Sequence, residues 1–371
     1  PRVLVRLRGS PPNTAGIGAR LRVTGGPVVQ TQEMIAGGRY LSGDDAVRVF
    51  AAGSPTNRLT IKVLWRSGLV SLVTNVPANS RIEIHETDAL DSPFTIHHSP
   101  LTPPPWGDGP LFVDATDRLR HAHAEEAYDD FARQPLLPHR LGQLGPGLSW
   151  HDFDGDGLDD LAIGTGRGGR IALALNDGQG GFRRATQRTM QQPETRDVLG
   201  LLALTPGPEG VSLLAVGATF EQTPGTAAAL REFQFASGTA RDLLPADPAA
   251  SFGVLAAADL DGDGGLDLFV GGTVVPGRFP AAPASRLLRR AGDTWREDAE
   301  AATLFAGLGP VTSAVWTDLD GDGFPELVVA SLWQPVAFFR NGRGRLRPWL
   351  PAPVDAPVFA LRLAAGDLDG H

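Results

Sequence analysis

One short acidic pattern recurs along the chain and limits what the chain can fold into. It reads Asp-x-Asp-x-Asp-Gly-x-x-Asp/Glu, and full copies begin at Asp152, Asp259 and Asp318. A shortened copy, Asp-Leu-Asp-Gly, begins at Asp367. Carboxylates this close together repel one another, so the stretch needs either solvent or a cation. Three full copies with one spacing favour a cation over a solvated surface turn.

The spacing of the pattern predicts calcium ligands. Carboxylates at positions 1, 3, 5 and 9, with a backbone carbonyl at position 7, can surround one hard cation with oxygen atoms. We therefore expect three Ca²⁺ ions, one in each full copy. The predicted ligands are Asp152, Asp154, Asp156, Leu158 and Asp160, then Asp259, Asp261, Asp263, Gly265 and Asp267, then Asp318, Asp320, Asp322, Phe324 and Glu326.

The residues around each copy exclude an EF-hand. That motif needs a bidentate Glu at position 12 and flanking helices. Position 12 is occupied here by Ile163, Val270 and Val329, and the flanks are short and rich in β-formers. Each acidic copy is therefore predicted to be a turn that joins two strands.

The distances between copies indicate a repeated structural unit. Asp259 and Asp318 are 59 residues apart, whereas Asp152 and Asp259 are 107 apart, or roughly two periods. A degenerate copy is expected between them, in the stretch LGLLALTPGPEGVSLLAVGAT (199–219). Its residues at the ligand positions are Leu204, Pro206, Pro208 and Ser212. Four strands in a period of this length are typical of a β-propeller blade, and this blade should lack a metal.

The N-terminal region has a different character. Residues 1–86 carry 11 basic and 5 acidic side chains, and stretches such as RVLVRLRG and RLTIKVLW alternate between polar and apolar residues. Alternation of this kind predicts half-buried strands. The fold class predicted for the whole chain is therefore all-β. A small antiparallel β-sandwich (1–87) precedes a partial β-propeller of four-stranded blades (145–371), which is truncated in the fifth repeat.

Residues 88–144 match neither module and are predicted to form a linker and a polar strap. The segment Ser99–Pro110 is too rich in proline for a helix or a central strand. Two histidines, His121 and His123, stand beside several carboxylates. They suggest a transition-metal site, but a polar strap is the favoured interpretation.

Apolar residues of the strap and of the blades are expected to pack inward. In the strap, Phe131, Leu136 and Leu137 are predicted to anchor the segment. Three blade tryptophans are expected in the core rather than at a rim. They are Trp150, Trp316 and Trp333.

Both modules resemble known families. The copies GPGLSWHDFDGDGLDDLAIGTG, SFGVLAAADLDGDGGLDLFVGGT and GPVTSAVWTDLDGDGFPELVVAS resemble FG-GAP/VCBS repeats, the calcium-binding blades also found in integrin α-subunit propellers. The pieces GIGARLRVTGG, GGRYLSGDDAVRVFAAG, VLWRSGLV and NVPANSRIEI resemble the ASPIC/UnbV domain, with Arg66 where that family usually has proline. Together they resemble the cartilage acidic protein-like family. The resemblance implies an extracellular calcium-binding protein.

Charge and composition restrict the partners. The net charge is −9, and the four acidic stretches hold 15 carboxylates, so the rest of the chain is basic. This location of the acidity fits metal binding, and nucleic acid is not an expected partner. The sequence contains no run of 18 apolar residues, so no membrane span is predicted. Because the last copy is incomplete, we expect the chain to be a piece of a longer protein.

Two function classes remain open. No G-x-S-x-G, H-E-x-x-H or P-loop motif is present, so no catalytic residue is assigned. The favoured function is an extracellular, cell-surface or periplasmic interaction and adhesion module, whose metal-stabilised propeller binds a protein or glycan. The alternative is a propeller enzyme that acts on a polysaccharide or lipid-linked substrate in the central channel. An enzyme should show a carboxylate or histidine pair in the channel, away from the metals.

Overall fold

The structure is a computed structural model that describes most of the chain. The described residues are 1–37, 42–43, 45–89, 99–100, 114–185, 187–205, 210–218, 229–245, 247, 249–350 and 358–359. They form 27 strands, three short α-helices and two 3-10 helices, which confirms the all-β fold class. The incomplete copy at Asp367 and the pair His97-His98 lie outside these residues.

Ten strands belong to the N-terminal region. They are β1 (Arg2–Arg8), β2 (Arg20–Thr24), β3 (Gln30–Glu33), β4 (Ala36–Gly37), β5 (Ser42–Gly43), β6 (Val47–Ala51), β7 (Arg58–Leu64), β8 (Val70–Pro77), β9 (Ser80–His85) and β10 (Ser99–Pro100). A 3-10 helix (Glu86–Asp88) follows β9. Eight of the strands make two four-stranded sheets, ordered β10-β9-β1-β6 and β3-β2-β7-β8.

The two sheets form a sandwich around an apolar core. On β7, Leu59, Ile61 and Val63 are buried while Lys62 between them is exposed, as the alternating sequence predicts. The sequence suggested a purely antiparallel sandwich, but β1 and β9 pair in parallel. The intervening chain has built the second sheet before it returns to β9, and such a crossover brings two strands together in the same direction.

The strap contains two short helices that the sequence did not predict. They are α1 (Thr116–Leu119) and α2 (Asp130–Arg133). Of the three expected anchors, Leu137 packs against a small apolar cluster that includes Leu141 and Leu199. The prediction was wrong for Leu136, which is 97% exposed, and for Phe131, which is 37% exposed. The proline-rich residues 101–110 lie outside the described part of the chain.

Sixteen strands form four blades of four strands each. They are β11 (Leu148–His151), β12 (Asp160–Ile163), β13 (Ala172–Asn176), β14 (Phe182–Ala185), β15 (Asp197–Leu204), β16 (Ser212–Ala218), β17 (Leu230–Gln234), β18 (Thr239–Leu244), β19 (Ser251–Ala258), β20 (Asp267–Val274), β21 (Arg286–Ala291), β22 (Thr294–Glu297), β23 (Val311–Thr317), β24 (Glu326–Gln334), β25 (Ala337–Asn341) and β26 (Leu346–Trp349). A 3-10 helix (Arg188–Met190) precedes blade two, and α3 (Ala299–Leu304) precedes blade four. The last strand, β27 (Val358–Phe359), pairs with β24.

The first strand of each blade lies innermost. Strands β11, β15, β19 and β23 contact one another in succession, so the blades stand side by side around a common axis. Strands β15, β16, β19 and β20 are buried on both faces because neighbouring blades cover them. No sheet among the described residues closes on itself, so the arrangement is a partial propeller.

The blade tryptophans differ in their packing. Trp316 is buried between blades three and four, as expected. Trp150 is 37% exposed and Trp333 is 42% exposed, so for these two the prediction was wrong. Trp150 lies on the outer face of blade one, where among the described residues no further blade covers it, and its ring packs beside Phe182.

The sandwich and the blades share backbone pairing and apolar packing. Strand β4 pairs with β19 in blade three, and strand β5 pairs with β11 in blade one. The core of the sandwich continues into the blades, since Ile61 and Val5 belong to the same cluster as Leu214. Within the described ranges, no helix has the length and apolar character needed to span a membrane.

Candidate metal centres

The three full acidic copies form matching loops between the first and second strands of blades one, three and four. We call them the first (152–160), second (259–267) and third (318–326) acidic loops. Each joins an innermost strand to its antiparallel neighbour, as the sequence predicts. The apolar residues at position 12, Ile163, Val270 and Val329, are buried in the second strands.

Each loop is folded by its own aspartates. The carboxylate at position 1 accepts hydrogen bonds from the backbone N–H groups of the glycines at positions 4 and 6. For Asp152 these bonds are 2.7 Å from Gly155 and 2.9 Å from Gly157. Asp259 and Asp318 repeat the arrangement with their own glycines, at 2.7–3.1 Å. The glycines have φ between +78° and +88°, a range that L side chains rarely adopt.

The carboxylate at position 9 closes the loop in two of the three copies. Asp160 accepts from the backbone N–H of Phe153 at 2.9 Å and of Asn176 at 2.7 Å. Glu326 bonds to the backbone in the same way, with Leu319 N at 2.8 Å and Asn341 N at 3.3 Å. The longer Glu side chain therefore accepts the same two backbone hydrogen bonds as Asp at this position.

The second acidic loop departs from this scheme. Asp267 accepts from the backbone N–H of Arg290 at 2.9 Å, but its other oxygen lies 2.7 Å from the guanidinium of Arg289. The sequence analysis did not find Arg289, because no pattern in the sequence links it to Asp267. Its ion pair makes this loop chemically distinct from the other two.

The loops bring carboxylate oxygens close enough to share one metal ion. In each loop, one oxygen from each of three residues lies within 4.8 Å of the others. The three groups are Asp152, Asp154 and Asp160; Asp259, Asp261 and Asp263; and Asp318, Asp320 and Glu326. The remaining predicted carboxylates, Asp156, Asp267 and Asp322, are not in these groups. Asp156 and Asp322 instead accept from the backbone N–H at position 7 of their own loops.

Burial disfavours the ionised form of the innermost carboxylates. It raises the pKa of Asp160, of Asp259 and of Glu326 above the usual range. It raises the pKa of Asp267 to about 6, against the opposing hydrogen bond from Arg290 N. A cation in the loop would offset this desolvation, because a nearby positive charge favours the ionised form.

The degenerate copy in blade two forms the predicted hairpin. Strands β15 and β16 pair antiparallel from Asp197–Ala218 to Leu204–Ser212. Leu204 is a buried strand residue, and Ser212 is buried at the start of β16. Pro206 and Pro208 lie outside the described residues. The strands of the blade therefore persist where the aspartates do not.

Two histidine arrangements lie outside the acidic loops. His121 and His123 have ring centroids 6.4 Å apart, and His123 pairs with Glu125 at 3.2 Å, but they do not join a third ligand in any group found among the described residues. His151 lies between Asp45 at 3.4 Å and Thr205 at 2.9 Å. His151 directly precedes the first acidic loop. The pair of His151 and Asp45 is therefore not the catalytic pair away from the metals that an enzyme should show.

A cleft separates the sandwich from two of the acidic loops. Its volume is about 600 Å³. The sandwich contributes Arg20, Trp65 and Arg66, and the blades contribute the second and third acidic loops with Phe324. The guanidinium of Arg66 lies over the ring of Phe324, 4.6 Å from its centroid. A cavity of this size is in the range of ligand-binding clefts.

Two known families match parts of the chain. The family described as ASPIC and UnbV matches residues 9–91. The family described as FG-GAP-like repeat matches residues 286–370, a range that contains the third acidic loop. None of the curated proteins with which the sequence was compared matches it. The chain therefore contains a region that matches the ASPIC/UnbV family and, further along, a region that matches the FG-GAP-like repeat.

Proposed function

We propose that each of the three acidic loops binds one Ca²⁺ ion and that the ions stabilise the blades. The observation that carries the proposal is the threefold recurrence of one loop geometry, with three carboxylate oxygens within 4.8 Å in each copy. Carboxylate and carbonyl oxygens are the ligands that Ca²⁺ prefers, and no histidine belongs to any of these groups. The remaining predicted ligands, including the position-7 carbonyls, complete the coordination in this proposal.

Calorimetric titration of the EDTA-treated chain with CaCl₂ tests the proposal directly. We expect about three equivalents to bind, with oxygen ligands at about 2.3–2.6 Å in a calcium-soaked crystal. Blade two serves as an internal control, because its hairpin should stay free of metal in that crystal. Absence of calcium uptake, together with a melting temperature that EDTA does not change, would refute calcium binding.

We further propose that the chain is an extracellular, cell-surface or periplasmic interaction and adhesion module that binds a protein or glycan. The match to FG-GAP-like repeats and the interdomain cleft support this assignment. The cleft offers guanidinium groups, the proposed calcium sites and the aromatic ring of Phe324, a combination that suits a hydroxylated ligand such as a glycan.

A glycan array probed with the calcium-loaded chain tests the partner. Binding that disappears in EDTA and in Phe324→Ala would support the cleft. Binding that survives Phe324→Ala would place the ligand elsewhere on the chain. Absence of binding to the array would favour a protein partner over a glycan.

A further inference from the structure

Four arginines of the sandwich reach across to the acidic loops. Arg81 donates to the carbonyl oxygen of Gly157 at 3.0 Å, and Arg66 donates to the carbonyl oxygen of Asp259 at 3.0 Å. Arg20 donates to the carbonyl oxygen of Asp318. The fourth, Arg6, lies 2.6 Å from the Asp159 carboxylate. Every acidic loop is therefore held by at least one guanidinium of the sandwich.

These four contacts use oxygen atoms outside the predicted ligand set. The carbonyls of Gly157, Asp259 and Asp318 stand at positions 6, 1 and 1 of their loops, whereas calcium is predicted to take the carbonyl at position 7. Asp159 is likewise outside the predicted set. Two of the arginines also approach a predicted ligand oxygen: Arg20 lies 3.2 Å from Asp318 Oδ2, and Arg66 lies 4.0 Å from Asp259 Oδ2. The guanidinium groups and a cation can thus use different oxygen atoms of one loop.

Charge permits simultaneous occupancy. With one Ca²⁺ bound, the second and third acidic loops keep a formal charge of −2, and the first loop, which also contains Asp159, keeps −3, so a loaded loop still attracts guanidinium groups. Without calcium the carboxylates of a loop repel one another, and we expect this repulsion to loosen the loop together with the carbonyl groups that the arginines bind. Arg66 is the most informative position for a substitution that tests this contact, because its side chain is only 12% exposed.

The rest of the junction keeps the modules together without calcium. Strand β4 pairs with β19, and Pro12 lies so close to the second acidic loop that a Cβ on Gly264 would be 2.6 Å from its Cδ. Thr14 also donates to the carbonyl oxygen of Thr205 at 3.0 Å. Calcium is therefore expected to tighten an existing junction rather than to create it.

We propose that the acidic-loop face of the propeller is the docking surface for the chain's own ASPIC/UnbV sandwich, and that docking and calcium binding strengthen each other. The inference rests on the proposed calcium sites and adds a second role to them. Coupling is reciprocal: if calcium tightens the docking, the arginines must raise calcium affinity by the same factor.

Calcium titration of single variants of the full chain measures the coupling. Arg66→Ala and Arg81→Ala should each weaken one of the three sites by about fivefold, the lower end of typical coupling between sites. Arg22→Ala is the control, because Arg22 is an exposed arginine of the same sandwich, on β2, and its side chain makes no hydrogen bond or ion pair in the described part of the chain. It should bind calcium like the wild type.

Hydrogen exchange of the wild-type chain provides a test that needs no variant. Calcium should slow the exchange of backbone amides at the junction, in residues 64–68 and 10–16 of the sandwich. Exchange in β8, at the opposite edge of the sheet from β3, should stay unchanged, because no hydrogen bond or ion pair joins β8 to the blades among the described residues. If a variant fails to fold by circular dichroism, this measurement decides alone.

The outcomes separate the two proposals. No calcium uptake by the wild type overturns both. Normal uptake with unchanged affinity in Arg66→Ala and Arg81→Ala, and with no change in exchange at the junction, overturns the coupling alone. Tighter calcium binding in either variant also overturns it, because the arginines would then compete with the ion.

Discussion

Substitution of Asp261 by Ala separates the role of a metal ligand from that of a structural residue. The side chain is exposed in the second acidic loop, and its Oδ1 accepts one long hydrogen bond from the backbone N–H of Asp263 at 3.2 Å. An exposed bond of this length contributes at most about 0.5 kcal/mol to the free energy of unfolding. Asp261→Ala should therefore melt close to the wild type in EDTA.

The expected loss with calcium is larger. One site held at a free calcium concentration of 100 times its Kd stabilises the fold by about 2.7 kcal/mol. Removal of one ligand should weaken the site at least tenfold, and a 10- to 100-fold loss leaves about 0.4–1.4 kcal/mol of that stabilisation. The variant should thus lose about 1.3–2.3 kcal/mol relative to the wild type. With an unfolding entropy of about 2.1 cal/mol/K per residue, this corresponds to a shift of about 2–3 °C.

Thermal melts in EDTA and in saturating calcium, at one ionic strength, measure both quantities. Asp293→Ala is the matched control, because Asp293 is an exposed aspartate in blade three outside the acidic loop. It removes the same charge and should melt like the wild type in both conditions. Equal losses for Asp261→Ala with and without calcium would show that the residue acts by packing. An unchanged melt in calcium would show that it is not a ligand.

Three further predictions follow from the loops and the junction. Burial raises the pKa of the Glu33 carboxyl group from 4.5 to about 7, so in EDTA the folded chain keeps this group protonated to a higher pH than the unfolded chain does, and stability falls as the pH rises from 4.5 to 7. Chemical denaturation should therefore show that Glu33→Gln stabilises the chain by about 1–2 kcal/mol at pH 8 and changes little at pH 4.5. The pKa of Asp267 is also raised, to about 6, and calcium needs the ionised form, so the calcium-dependent gain in melting temperature should grow between pH 5 and pH 7.5, and a gain independent of pH would contradict this. Gly264 and Gly157 both stand at position 6 with φ of +87° and +86°, but only a Cβ at Gly264 would meet Pro12, so Gly264→Ala should lose more than the roughly 1–2 kcal/mol expected for Gly157→Ala.

The local features of the fold could be predicted because they are encoded within a few residues. Alternation of polar and apolar side chains marks β7, and the repeated Asp-Gly pattern forms turns through bonds from a carboxylate to backbone groups three and five residues away. Even the hairpin of blade two follows from its apolar strands without any aspartate. The coordination by each acidic loop remains a prediction, because the exact ligand set depends on an ion.

The features that the sequence did not reveal depend on distant parts of the chain. Strands β4 and β5 have two residues each, too few to show a period, and they exist because the inner edges of β19 and β11 offer them hydrogen bonds. The ion pair of Asp267 with Arg289 joins residues on two different strands of the blade. Asn176 and Asn341 end the third strands of blades one and four, and their backbone N–H groups donate to the carboxylates at position 9. This repeated Asn is a sequence signal that could have identified these partners.

The excess of basic residues in the sandwich finds a structural explanation at the junction. On the sequence alone, 11 basic residues against 5 acidic ones do not identify what the basic side chains contact. Arg6, Arg20, Arg66 and Arg81 are spread over three strands and a turn, and only the tertiary fold brings them to the acidic loops. One Ca²⁺ cannot neutralise four carboxylates, so each loop keeps negative charge that a neighbouring module can use. The acidity of the blades and the basicity of the sandwich therefore meet at one interface, and the proposed metal sites lie within it.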